Sequence, residues 1–274
     1  MNNEIVPVEL DYRDLVETYG SPLLVLDQAA VRKQYRALVK ALPGVRMHYA
    51  LKPLPHSAVV ATLKAEGCCF DLATNGEVDL MLENQINPDD CIHTHPIKRD
   101  GDIRYALEYG CKVFVFDNPI ELEKFIPYQD KAQLLLRVSF PNPESKVDLS
   151  KKFGCTPEAT LPLLRKAKEL GLNVIGLSFH VGSQVPNSRR HVEAITACNQ
   201  LIRDAAAENI NLQVLDIGGG FPVNYTADGA DLDIYEFCAP IREALSNTPE
   251  GIRLLAEPGR FISAPCMTSV SSVM

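Results

Sequence analysis

Eight short apolar runs alternate with longer segments of helical period along this chain, and this alternation limits the possible folds more than any other feature. The runs lie at 46–51, 69–72, 91–94, 112–116, 133–139, 174–180, 213–217 and 253–257. Several are nearly continuous Val, Ile and Leu, which is typical of strands buried on both faces. Eight strands that alternate with helices predict a parallel (β/α)₈ barrel of the TIM type, in the α/β class.

Amphipathic segments predict the helices of this barrel. Seven of them follow strands, at 57–66, 76–85, 99–109, 119–126, 157–170, 189–208 and 233–246, and an eighth at 28–41 precedes the first strand. A further apolar run at 22–27 has no position in the barrel, and we expect a strand there that needs a partner elsewhere. The longest irregular stretch, 140–153, is predicted to be an active-site loop.

Composition excludes several classes of function. The 274 residues carry a net charge of −8 without a run of Lys and Arg, so nucleic acid is not an expected partner. The acidic N-terminus lacks the apolar core of a signal peptide, and no apolar run approaches the roughly 20 residues that span a bilayer. We therefore expect a cytoplasmic protein without a membrane segment.

The eight cysteines contain no C-x-x-C pair, and most lie inside apolar segments. We predict that they are reduced core residues, because a buried free cysteine behaves as a small hydrophobic side chain. His93 and His95 alternate on one strand but lack a nearby third ligand, so no metal site is expected.

Polar and flexible residues stand where the predicted strands end, and barrel enzymes place their active sites at that rim. They are Lys52, Asp71, His95, Asp117, Arg137, His180, Gly218–Gly220 and Glu257. Strand ends are often polar, which explains a few of these residues but not so many together. A lysine amine can condense with an aldehyde, and successive backbone N–H groups of a glycine turn can bind phosphate. An arginine can pair with phosphate, and a carboxylate can hold a ring nitrogen protonated. The combination predicts pyridoxal 5′-phosphate (PLP) as the cofactor.

Each of these assignments has a plain structural alternative. Lys52 could extend into solvent, the glycine triplet could form only a tight turn, and Glu257 could make a strand-end salt bridge. His180 could be a packed core residue, and Asp71 could cap the next helix. Arg137, charged within an apolar strand, needs a buried partner such as Asp71 or Glu77.

Seven segments in order resemble one family. They are YALK, FDLAT followed by Glu77, LLLRV, LSKKFG, IGLSFHVGSQ, LDIGGGFP and AEPGR. The chain resembles the fold-type III PLP-dependent decarboxylases, which act on ornithine, lysine and diaminopimelate and have an alanine-racemase-like barrel. The segments LSKKFG, FHVGSQ and LDIGGGFP are most similar to the ornithine decarboxylase branch.

The resemblance implies a role for each matched residue. Lys52 would bind the cofactor covalently, His180 would stack on its ring, and Glu257 would contact the pyridine nitrogen. The phosphate would be held by Ser183, Gly220 and Arg260, and the remaining cofactor contacts come from the same turns: Gly218, Gly219, Pro258 and Gly259. Asp71, Glu77, Arg137 and Lys152 would support the site. The sequence departs from the family pattern after the lysine, where Pro53 and Leu54 follow.

The resemblance also implies a domain organisation and an activity. Residues 28–265 would form the PLP barrel, with 1–27 contributing a strand to the family's β-domain and 266–274 beginning that domain, most of which is expected to be missing. The expected activity is decarboxylation of a basic amino acid, first L-ornithine to putrescine in polyamine biosynthesis and next lysine, in an intact protein that is a homodimer. A non-catalytic PLP-binding or regulatory homologue and a racemase-like barrel are the alternatives.

Overall fold

The computed structural model describes residues 11–142, 150–225 and 232–273, in ten helices and ten strands. The helices are α1 (Tyr12–Tyr19), α2 (Gln28–Ala41), α3 (Ser57–Ala65), α4 (Asn75–Glu83), α5 (Asp100–Tyr109), α6 (Pro119–Glu123), α7 (Pro157–Glu169), α8 (Arg189–Ala207), α9 (Ile234–Leu245) and α10 (Arg260–Ser263). The strands are β1 (Leu23–Leu26), β2 (Val45–Ala50), β3 (Cys69–Leu72), β4 (Cys91–His93), β5 (Val113–Phe116), β6 (Gln133–Val138), β7 (Val174–Phe179), β8 (Val214–Asp216), β9 (Arg253–Ala256) and β10 (Met267–Val270).

Strands β2 to β9 form a closed parallel barrel in sequence order, which confirms the predicted fold. Closure is made by β9 and β2, where Val45 lies opposite Leu254 and Met47 opposite Ala256. Most of the predicted strands end one residue later than the observed strands. Lys52, His180 and Glu257 therefore lie in the turns that leave the barrel, where their side chains reach the rim.

Helices surround the barrel, and α2 closes this outer ring by packing against both α3 and α9. The predicted helix at 28–41 has the observed bounds of α2. The predicted helix at 119–126 is shorter, because α6 ends at Glu123 and a 3-10 turn, Ile126–Tyr128, follows. Pro127 in that turn has no N–H to continue an α-helix.

The apolar run at 22–27 forms β1, and it has a partner within the chain. β1 pairs antiparallel with β10 in a two-stranded sheet, from Leu23 opposite Val270 to Leu26 opposite Met267. We predicted neither β10 nor the short helices α1 and α10. The expected division of the chain into domains stays a prediction.

A small apolar cluster of Val115, Leu135, Ile175, Val214 and Leu255 packs apart from the main core. Four of these residues lie two positions before a polar residue: Val115 before Asp117, Leu135 before Arg137, Val214 before Asp216 and Leu255 before Glu257. Side chains two apart on a strand share a face, so the cluster fills the barrel interior beneath those polar groups.

The predicted state of the cysteines is confirmed, since all eight are free and buried. Within the described ranges, no helix has the length and apolar character needed to cross a membrane. No group of side chains in the same ranges has the arrangement of a metal site.

Candidate active site

A cavity of about 330 Å³ opens at the C-terminal rim of the barrel. It collects residues from the turns after β2, β7, β8 and β9, because these strands are neighbours in the barrel. Its lining residues are Ala50, Lys52, Pro53, His180, Ser183, Gly219, Gly220, Phe221, Glu257, Gly259 and Arg260. The structure thus brings together most of the residues that the sequence singled out.

The glycine turn, Gly218–Gly220, passes very close to its neighbours. Gly218 and Gly220 have φ values of +65° and +101°, which L-residues rarely adopt. A Cβ on Gly219 would lie 2.7 Å from the carbonyl oxygen of Glu257 and 3.2 Å from Nε2 of His180. Glycine therefore lets the turn pack against these atoms, and Gly219 and Gly220 line the cavity with backbone alone, which suits an anion site.

Arg260 brings the positive charge of this end of the cavity. Its Nε donates to Oγ of Ser183 at 3.1 Å, and its Nη1 donates to the hydroxyl of Tyr225 at 2.7 Å. The guanidinium carbon also lies 6.0 Å from the centre of the Tyr225 ring.

His180 presents a neutral imidazole beside the glycine turn. Burial, followed by the charges of Arg137 and Lys52, holds the pKa of His180 well below its usual value. The backbone N–H of Gly182 donates to Nδ1 at 3.0 Å, so the ring proton is assigned to Nε2. A neutral flat ring in this position is suited to stacking on an aromatic cofactor.

Glu257 and Asp216 form a buried pair of carboxyl groups at the ends of the neighbouring strands β9 and β8. Burial and the adjacent Asp216 raise the pKa of Glu257 well above its usual value. Burial also raises the pKa of Asp216 to about 6, although its Oδ1 accepts a hydrogen bond from the backbone N–H of Gly218 at 2.9 Å. Two buried carboxyls this close favour holding a proton between them, which a ring nitrogen could share.

Asp71 lies on β3 next to the lysine side of the cavity. Its Oδ1 accepts a hydrogen bond from Thr94 at 2.5 Å, while Oδ2 is buried without a partner in the structure. Burial and then the charge of Glu257 raise the pKa of Asp71, whereas the charge of Lys52 lowers it. The helix that follows is capped by Thr74, so Asp71 is not its N-cap.

Arg137 lies among buried carboxyl groups and not in a single ion pair. The charges of Glu257, Asp117, Asp71 and Asp216, in decreasing order, oppose the burial that lowers its pKa. Its guanidinium carbon also lies 5.4 Å from the ring centre of Phe153. The predicted partner Asp71 is therefore one of several.

Other predicted residues lie outside the lining of the cavity. Oε2 of Glu77 accepts from the backbone N–H groups of Ala73 and Thr74, which completes a capping box at the start of α4. Lys152 is exposed. The carbonyl of Pro258 accepts from the N–H of Ala50 at 3.1 Å and so joins the turns after β9 and β2. Most of the predicted active-site loop, residues 143–149, lies outside the described residues.

Asp117 and His95, which the sequence placed at the barrel rim, contact residues at the end of the predicted active-site loop. Oδ2 of Asp117 accepts from the backbone N–H of Gly154 at 2.8 Å, which ties the end of the predicted loop to β5. His95 packs edge-on against Phe153 with 6.0 Å between ring centres.

Sequence reasoning missed three residues that contact the site. Asp216 carried a readable signal, because a carboxylate in an apolar strand needs a reason to be there. His191 is fully buried, its Nε2 lies 3.0 Å from the carbonyl oxygen of Gly219, and its ring stacks on Phe221. Tyr225 follows the glycine turn without belonging to a recognisable motif.

The residues present fit PLP. Gly219 and Gly220 line the cavity without side chains, Arg260 carries the charge for a phosphate, and His180 offers a flat neutral ring. Glu257 supplies a carboxyl for a ring nitrogen, and the unpartnered Oδ2 of Asp71 can accept a further polar contact.

Comparison with known proteins agrees with this fit. Residues 28–264 match the profile of the pyridoxal-dependent decarboxylase family, in its pyridoxal binding domain. The chain belongs to this family. PLP is therefore its cofactor, and the barrel is the part of the family fold that binds it.

Several relatives show how far the likeness extends. The lysine/ornithine decarboxylase of Selenomonas ruminantium is 30% identical over 97% of this chain and 67% of its own length. The ornithine decarboxylase of Schizosaccharomyces pombe is 37% identical over 88% of this chain and 55% of its own length. A crystal structure of lysine/ornithine decarboxylase from Vibrio vulnificus with putrescine is 55% identical, with a TM-score of 0.90 over 96% of this chain and 70% of that one. The chain thus spans 55% to 70% of the length of these three relatives.

Proposed function

We propose that this chain carries the cofactor-binding barrel of a PLP-dependent decarboxylase that acts on a basic amino acid, with ornithine the first candidate and lysine the second. One observation carries the proposal: a single cavity is lined by a lysine, a neutral histidine, a buried glutamate and a glycine turn with an arginine. The names of the relatives support the substrate class, since decarboxylases of ornithine, lysine and arginine are among them.

We assign the roles along the length of the cavity. Gly219, Gly220, Ser183 and Arg260 hold the phosphate through backbone N–H groups, a hydroxyl and a guanidinium. His180 covers one face of the ring and stays uncharged. It therefore does not compete with Lys52 for pairing with the nearby carboxylates. Asp71, Arg137 and Asp216 set the electrostatic balance around the two reactive groups.

Lys52 and Glu257 define the two chemical ends of the site. Lys52 would hold the cofactor through its aldehyde, at the position that the substrate amine would take in its place. Glu257, with its raised pKa, keeps a proton available at the ring nitrogen. When bound, PLP supplies an electron sink for the electron pair that loss of CO₂ leaves behind.

Borohydride reduction of the PLP-loaded protein, followed by peptide mapping, tests the assignment of Lys52. The pyridoxyl label should be on Lys52 and should be absent from Lys52→Arg, while Lys131→Arg, at an exposed site away from the cavity, should be labelled like the wild type. A label on another lysine would contradict the assignment.

A second candidate is a non-catalytic protein with the same barrel. Antizyme inhibitor 2 of Xenopus laevis is 32% identical over 91% of this chain, so family membership does not by itself imply a decarboxylase. The presence of a lysine, a histidine, a glutamate and an arginine in one cavity supports the enzymatic function. Release of labelled CO₂ from ornithine, lysine and arginine by the protein, with Lys52→Ala as the control, separates the two.

The intact protein is further proposed to be a cytoplasmic homodimer, as the resemblance implies. Sedimentation of the PLP-loaded protein over a range of concentrations tests the dimer. A monomer at every concentration would contradict it.

A further inference from the structure

Arg260 is held by a tyrosine that no motif of the sequence includes. The Tyr225 hydroxyl accepts a hydrogen bond from Nη1 of Arg260 at 2.7 Å, and the guanidinium carbon lies 6.0 Å from the centre of the Tyr225 ring. Ser183 accepts from Nε of the same side chain at 3.1 Å. Two separate contacts therefore fix an arginine side chain that is otherwise exposed.

Both of these contacts are made by neutral groups. In the part of the chain that the structure describes, no carboxylate lies within ion-pair distance of Arg260, in contrast to Arg36, Arg99 and Arg165. The hydroxyls of Tyr225 and Ser183 thus orient the guanidinium without neutralising it. Its charge stays available to an anion that enters the cavity.

The hydrogen bonds also divide the donors of the guanidinium. An arginine has five N–H donors in a fixed planar arrangement, and here Nε and one N–H of Nη1 are used within the protein. The remaining donors are held in one plane beside the glycine turn. A flexible arginine loses side-chain entropy when it binds, and an arginine fixed beforehand loses less.

We propose that Tyr225 is a positioning residue of the phosphate site, which orients Arg260 for the phosphate of the cofactor; this inference rests on the phosphate assignment made under the proposed function. The tyrosine oxygen accepts from Arg260, so its own O–H remains a donor. A tyrosine that only packed against the surface would affect the stability of the empty chain, but it would not distinguish PLP from pyridoxal.

Titration of the protein with PLP and with pyridoxal tests the inference. Tyr225→Phe keeps the ring and removes the hydroxyl, so its Kd for PLP should rise about three- to tenfold, which is the net effect of losing one ordinary hydrogen bond. Its Kd for pyridoxal, which lacks the phosphate, and the melting temperature of the empty protein should stay at wild-type values. Tyr19→Phe, on the exposed surface of α1, is the matched control and should bind both ligands like the wild type.

A double-mutant cycle identifies the route of the effect. In the Arg260→Ala background, Tyr225→Phe should change the Kd for PLP by less than about twofold, because the tyrosine acts through the missing arginine. Wild-type PLP affinity in Tyr225→Phe, equal losses for PLP and pyridoxal, or additive effects in the cycle would each overturn the inference. A wild-type chain that does not bind PLP would overturn the proposed function as well, so the two failures can be told apart.

Discussion

At the residue scale, the main-chain path beside the cofactor cavity leaves no room for a side chain at Gly219. A Cβ there would lie 2.7 Å from a backbone oxygen of Glu257, which cannot swing away, and 3.2 Å from the His180 ring. We expect Gly219→Ala to shift the glycine turn and to weaken PLP binding about tenfold or more, since overpacking typically costs 1–3 kcal/mol.

Gly76→Ala is the control for this substitution. Gly76 lies in the first turn of α4 with no heavy atom within 4 Å of its would-be Cβ, so alanine should leave PLP binding unchanged. Fluorescence titration with PLP measures both variants. Wild-type affinity in Gly219→Ala would contradict the close approach that the structure shows.

His191 makes the stability of the chain depend on pH. Burial lowers the pKa of His191 to about 4, whereas a histidine in the unfolded chain titrates near 6.5. Between these values the unfolded state binds a proton that the folded state does not, so the free energy of unfolding falls as pH falls. Near pH 5 this contribution reaches about 2 kcal/mol.

The variant His191→Gln isolates that contribution. Glutamine keeps an N–H donor for the carbonyl of Gly219 but does not titrate. Wild type should therefore lose about 2 kcal/mol more than the variant between pH 7.5 and pH 5 in urea unfolding. His48 and His93, whose pKa values are lowered to about 3, are present in both proteins and cancel in the comparison. Equal losses would show that His191 does not titrate as described.

Some residues of the site could be predicted from the sequence and others could not. Lys52, His180 and Glu257 could be predicted because each follows an apolar strand whose end faces the rim of a barrel. Asp216 also stands at the end of an apolar strand, but it lies two residues before a glycine triplet, and we assigned the chemistry of this segment to the glycine backbone. Tyr225 could not be predicted, because its contact with Arg260 joins positions 35 residues apart and depends on the path of the turn between them.

At the scale of elements, the barrel strands were predictable and the small antiparallel sheet was not. Several of the strands β2 to β9 are nearly continuous apolar runs, because both of their faces are buried. β10, with the sequence MTSV, is half-buried only at its two end residues and has no alternation that marks it as a strand. Its pairing depends on backbone hydrogen bonds with β1, from the other end of the chain.

The start of α4 gives a prediction at the same scale. Thr74 and Glu77 form a capping box, in which the side chain of each residue accepts a hydrogen bond from the backbone N–H of the other. Glu77→Ala should lower the free energy of unfolding by about 1 kcal/mol, whereas Glu77→Gln should keep most of the cap. Urea unfolding measures both changes.

The same pair of variants tests whether Glu77 also supports the site through its charge. Glutamine keeps the cap without the charge, so the Gln variant should bind PLP with wild-type affinity if capping is the only role. A fall in PLP affinity for Glu77→Gln would instead support the role in the site that the family resemblance implies. An Ala variant as stable as wild type would show that the cap contributes nothing.

At the scale of the whole molecule, the cavity exists only when the barrel is closed. Lys52 follows the first barrel strand and Glu257 follows the last, and they meet because β2 pairs with β9. His180 and the glycine turn follow β7 and β8, which complete the same side of the ring. In a partly folded chain that lacks the β2–β9 contact, Lys52 is therefore separated from Glu257, His180 and the glycine turn.

PLP should consequently stabilise the folded barrel as a unit. A ligand that binds only the folded state adds about 2.7 kcal/mol at a concentration of 100 times its Kd, and a chain of this size then gains about 5–10 °C in melting temperature. The increase should grow with the logarithm of PLP concentration. Lys52→Ala should show a smaller increase, because it keeps the phosphate site but loses the covalent attachment, and pyridoxal should stabilise the wild type less than PLP does. Calorimetry measures the melting temperature of wild type with PLP, of Lys52→Ala with PLP and of wild type with pyridoxal. A wild-type melting temperature that does not change while PLP is bound would mean that the site forms without closure of the barrel.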